Sequence, residues 1–65
     1  MVVSKREQQV LELISRGMSN KEVAQELKIS FNTVQTHRRR LLLKLDAKNS
    51  ADLIRIAFKN NLLTE

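Results

Sequence analysis

In the stretch TVQTHRRRLLLKL, residues 33–45, groups able to meet a phosphate or a base edge recur at helical spacing. Thr33, His37, Arg40 and Lys44 lie four, three and four residues apart, which aligns them along one edge of a helix as candidate phosphate ligands. On a wheel of 100° per residue with Val34 pointing at a core, Leu41 and Leu45 fall within about 20° of it. Gln35, Thr36, Arg39 and Arg40 occupy the opposite face, between roughly 100 and 240°. Side chains of these types read bases: the arginine fork matches guanine O6 and N7, and glutamine matches adenine. The arginine triplet therefore divides. Arg38, at about 40°, packs its stem at the edge of the seam; Arg39 faces outward as a base reader, and Arg40 borders the phosphate flank. The competing reading is a basic face that is only solvated, and a lone histidine such as His37 is usually structural.

These residues need a helix to hold them and a second helix to aim it. With no proline, one glycine and apolar residues three and four apart, the chain reads as all-α. Ser4 and Glu7 form one capping box and Ser19 and Glu22 another, and Ser30 caps a third helix. Four helices are predicted, over about residues 5–16, 20–27, 31–45 and 50–60, in a single domain spanning 1–65 with a fraying NLLTE end. Val10, Leu11 and Ile14 form the buried side of the first, and Gly17 ends it. The short link between the second and third helices, with small Ala24 at the expected crossing and Val23, Leu27, Ile29 and Val34 as an apolar wedge, is the pattern of a helix-turn-helix. Lys28 stands in the turn where many such motifs have glycine.

Composition excludes several classes. A chain of 65 residues has room for one core. Its net charge is +5, of which +4 resides in residues 31–65, so a polyanionic partner is expected. Without cysteine and with one histidine there is no ligand set for structural zinc, and no metal or other cofactor is expected. No glycine loop cradles a phosphate and His37 lacks a matched acid, so neither an enzyme nor a small-molecule site is expected. No apolar run approaches the roughly 20 residues that cross a bilayer, and the expected location is the cytoplasm.

The ordered set SKREQQVLELISRG, SNKEVAQEL, IS followed by TVQTH, and then KL resembles the LuxR-type helix-turn-helix domain of quorum-sensing regulators, two-component response regulators and spore-coat regulators of the GerE kind. The resemblance runs from about residue 3 to 62. It implies a wingless four-helix domain of a bacterial transcriptional regulator, which binds double-stranded DNA with its third helix in the major groove and pairs two copies through its fourth. It further implies base contacts at Gln35, Thr36 and Arg39, and phosphate contacts at Asn20, Lys21, Thr33, His37 and Lys44. Three positions depart from the family pattern: Leu43 where a basic or polar residue is usual, Asp46 where glycine is commonest, and Ser50 where arginine is frequent.

The fourth helix carries more apolar residues than one face can bury: Ala51, Leu53, Ile54, Ile56, Ala57 and Phe58. Leu53, Ile54, Ile56 and Ala57 are the candidates for a homodimer contact; a regulatory domain missing from the chain is the rival explanation for the surplus. On this reading the chain is either a stand-alone regulator or an excised output domain, with RNA polymerase as a further partner. Two other classes stay open, a sigma-factor-like promoter module that works with polymerase and a helical protein-interaction module without DNA binding.

Overall fold

Serine and asparagine start every helix of the domain, and a left-handed residue stops each one. The computed structural model describes residues 3–64. It contains α1 (Lys5–Ser15), α2 (Asn20–Leu27), α3 (Phe31–Lys44) and α4 (Ser50–Lys59) and, among the described residues, no strand. At α1 the Ser4 hydroxyl accepts from the Glu7 amide at 3.1 Å and the Glu7 carboxylate accepts from the Ser4 amide at 2.9 Å. Ser19 and Glu22 repeat the arrangement at α2, at 3.2 and 2.9 Å. Ser30 accepts from the Thr33 amide at 3.0 Å, and Asn49 from the Asp52 amide at 2.9 Å. Each contact satisfies an amide that the first helical turn would otherwise leave orphaned.

The stops share a geometry. Gly17, Lys28, Asp46 and Asn61 have φ of 87, 57, 53 and 61°. After each, the next amide reaches back five residues: Met18 to Leu13, Ile29 to Ala24, Ala47 to Leu42 and Leu62 to Ala57. Such closures satisfy the last carbonyls of the helix. Lys28 thus takes the left-handed region without being glycine, which keeps the link between α2 and α3 short. The helix ends fall one residue inside the expected limits of α1, α3 and α4, because the terminal residue is in each case the cap whose amide closes the last turn.

The end of the chain is a correction. The expected fraying tail instead turns back at Asn61, buries Leu63 in the core, and holds the Leu62 carbonyl 2.7 Å from the Gln8 side-chain amide on α1. The core itself collects Val10, Leu11, Leu13 and Ile14 from α1, Val23 and Ala24 from α2, Val34, Leu41 and the following Leu45 from α3, and Leu53 and Ala57 from α4. Helix α3 is therefore held by one stripe only. Everything on its far side is exposed.

Candidate nucleic-acid interface

Helix α3 presents its charged and amide side chains by elimination: Val34 and Leu41 point into the core, so residues half a turn away point out. Gln35, Thr36, Arg39 and Arg40 are exposed, as the periodicity predicts, and so is Asn32, which the sequence reading did not single out. Asn32 lies at about 160° from Val34, beside Thr36 and Arg39, and the missed signal was its type, since asparagine matches adenine as glutamine does. The Thr36 hydroxyl donates to the Asn32 carbonyl at 3.1 Å, which uses its proton inside the helix and leaves a methyl and oxygen lone pairs for a partner. Neither Arg39 nor Arg40 is in an ion pair among the described residues.

Arg38 has a different task. It is half-buried, and its Nη1 donates to Asn20 Oδ1 at 2.8 Å, joining the middle of α3 to the first turn of α2. The contact fixes Asn20 through its carbonyl oxygen and sets the start of α2 beside the exposed face of α3; Asn20, Gln35, Arg38, Arg39 and Leu42 line a single hollow there. Lys21 is exposed next to it, where the first-turn amides of a helix favour an anion. Thr33 is exposed, with its hydroxyl 2.7 Å from that of Ser30. His37 is half-buried, and its Nδ1 is enclosed without a hydrogen-bond partner, so the ring nitrogen left to meet a phosphate is Nε2.

Lys44 already has a partner inside the domain. Its ammonium sits 2.6 Å from Glu7 Oε1, the same oxygen that caps α1. Burial pushes the Glu7 carboxyl up, but the hydrogen bond and charge of Lys44, with the amide and hydroxyl of Ser4, outweigh it and hold the group below its ordinary 4.5. The pair ties α1 to the end of α3, and Lys44 could meet a phosphate only by sharing or giving up this carboxylate, which is 2% exposed. The dimer candidates also divide. Leu53 and Ala57 are fully buried in the protomer's own core, which removes them from any contact surface, whereas Ile54 and Ile56 stay half-buried and Phe58 is exposed.

The comparisons with known proteins match this architecture. Residues 1–57 fit the family model described as bacterial regulatory proteins, luxR family. The chain belongs to that family. Among its luxR-type relatives, the virulence factors putative positive transcription regulator BvgA of Bordetella pertussis is 48% identical over 61 residues, covering 94% of this chain and 29% of the relative. The oxygen regulatory protein NreC of Staphylococcus haemolyticus is 40% identical over 62 residues, covering 95% and 29%. The crystal structure of the response regulator ChrA of a heme-sensing two-component system superposes with a TM-score of 0.93 at 33% identity, covering 97% of this chain and 31% of that one. The chain thus spans less than a third of the length of these relatives. No helix among the described residues is long and apolar enough to cross a membrane.

Proposed function

We propose that this luxR-type domain is the sequence-specific, double-stranded-DNA-binding part of a bacterial transcriptional regulator of the response-regulator kind, working in the cytoplasm. The observation that carries the reading is the division of α3: one stripe locked into the core, and an opposite face where Gln35, Thr36, Arg39 and Arg40 are exposed with both arginines outside any ion pair of the domain. An α-helix of this kind fits the major groove of B-DNA, where side chains of these types distinguish base pairs. Gln35, Thr36 and Arg39 read bases; Asn20, Lys21, Thr33, His37 and Arg40 hold the flanking phosphates.

Two copies bind inverted half-sites about 10 to 10.5 base pairs apart. They meet through Ile54, Ile56 and Phe58 on α4, the apolar residues that the protomer's core leaves at least partly uncovered. The signal reaches the domain from outside the stretch shared with these relatives, and RNA polymerase is the downstream partner. The test is selection of duplexes from a random pool, followed by affinity measurements on the selected and on a scrambled duplex over a salt series. A selected motif that appears twice with dyad symmetry and outcompetes the scrambled duplex supports the proposal. Equal affinity for both duplexes at every salt concentration rejects it.

A further inference from the structure

A single exposed leucine on a protein surface needs no explanation by itself. The position of Leu43 does. It is 75% exposed, more than Phe31 or Phe58, and it lies at about 180° from Val34, directly opposite the stripe that anchors α3. Asn32, Thr36 and Arg39 lie at about 160, 200 and 140° on the same wheel, so Leu43 continues their row into the last turn of the helix. It rises about 6 Å along the axis beyond Arg39, the height of roughly two base-pair steps of 3.4 Å.

Its neighbours narrow the choice of partner. Arg40, Lys44, Glu7 and Ser4 line the same surface hollow as Leu43, and Arg39 lies one turn back. An apolar protein pocket closing over Leu43 would take Arg39 and Arg40 out of water, while Glu7, the acid in that hollow, is already held by Lys44. In a DNA groove the phosphates neutralise those arginines, and the apolar group present on the groove floor is the C5-methyl of thymine. Resting on the DNA-binding reading above, we propose that Leu43 is a specificity-determining residue that packs its branched end against the methyl group of a thymine about two base pairs beyond the pair met by Arg39. The apolar side chain at this position then selects for sequence, where a basic one would only have gripped the backbone.

The experiment uses the duplex selected by the parent chain, the same duplex with each thymine replaced in turn by deoxyuridine, which lacks only the methyl, and the variants Leu43→Ala and Leu43→Gln. Thermal melting of both variants checks that the fold is intact, as it should be for so exposed a side chain. The expected result is one thymine, on the outer side of the Arg39 contact in each half-site, whose replacement weakens the parent about fourfold, the worth of one buried methyl group. Leu43→Ala and Leu43→Gln bind the thymine and uracil duplexes equally, and random-pool selection with either loses the preference at that position alone. If deoxyuridine costs the variants as much as the parent, or if the parent selects no thymine there, Leu43 is not a base reader. A parent chain that selects no motif at all overturns the DNA reading as well, so the two failures are told apart.

Discussion

Replacing Glu7 by glutamine should separate the two jobs of one carboxylate. Its Oε1 caps α1 through the Ser4 amide at 2.9 Å and ties down the end of α3 through Lys44 at 2.6 Å. Glutamine has nearly the same volume and serves equally well at the third position of a capping box, so the start of α1 survives and only the charge is lost. A hydrogen bond between charged groups contributes about 1.5 to 3 kcal/mol, and the lysine left behind, with 36% of its side chain exposed, turns into water instead of remaining buried. The expected cost is therefore about 1.5 to 3 kcal/mol, which for a domain of this size lowers the melting temperature by roughly 6 to 24 °C. Lys44→Met should cost more at pH 7, because the Glu7 side chain, 3% exposed, cannot follow water outward.

The two variants also differ in acid. In the parent the Glu7 carboxyl is held below 4.5, so the stability it contributes is present above that value and is lost as pH falls through the lowered one. Lys44→Met removes that residue's hydrogen bond and charge and leaves burial opposed only by the Ser4 contacts, so the carboxyl is lowered less and the variant should lose less stability than the parent as pH falls below 4.5. Circular-dichroism melts of the parent and both variants from pH 7 down to about 3 make the measurement. A Glu7→Gln protein that melts with the parent, together with a Lys44→Met protein that loses as much stability in acid as the parent, would refute the assignment of this pair as a tether.

Three further outcomes follow from the interface. Lys21→Ala should reduce the slope of log affinity against log salt by about 0.9, the contribution of one phosphate contact, whereas Lys44→Met should leave the slope unchanged, as titrations against duplex DNA at four salt concentrations will tell. Arg39→Ala should narrow the gap between selected and scrambled duplex by about 1 to 3 kcal/mol, and a scrambled-duplex affinity that drops in parallel would assign the residue to the backbone instead. Asp46→Gly should stabilise the domain by up to about 1 kcal/mol in urea titrations, since φ of 53° strains a residue with a Cβ more than it strains glycine; an unchanged midpoint would mean that the aspartate carries a compensating interaction.

The helices and their caps could be read because they are local facts: Ser4 with Glu7, Ser19 with Glu22 and Ser30 with Thr33 all lie three residues apart. The outward face of α3 was legible for a related reason. Val34, Leu41 and Leu45 mark the buried stripe so clearly that the rest of the wheel is fixed by it. Helix α4 offers no such contrast, being apolar around much of its surface, and only packing against the other helices decides that Leu53 and Ala57 turn inward while Phe58 does not. The tether between Glu7 and Lys44 spans 37 positions, and Gln8 meets Leu62 across 54; contacts of that kind exist only once α1 has docked, and no local pattern around Lys44 announces its acid partner.

The local punctuation of the four helices also sets how fast the domain assembles. Every start is written within three residues and every stop within five, so the helix limits are set by local contacts, while helices of 8 to 14 residues take most of their stability from packing on one another. Small helical domains with such short-range instructions fold in microseconds to milliseconds, and a chain without proline has no isomerisation phase lasting tens of seconds. A domain pulled open by heat, denaturant or a passing unfoldase should regain the exposed face of α3 within milliseconds of release, long before a protease that depends on the open form has had many chances to cut it.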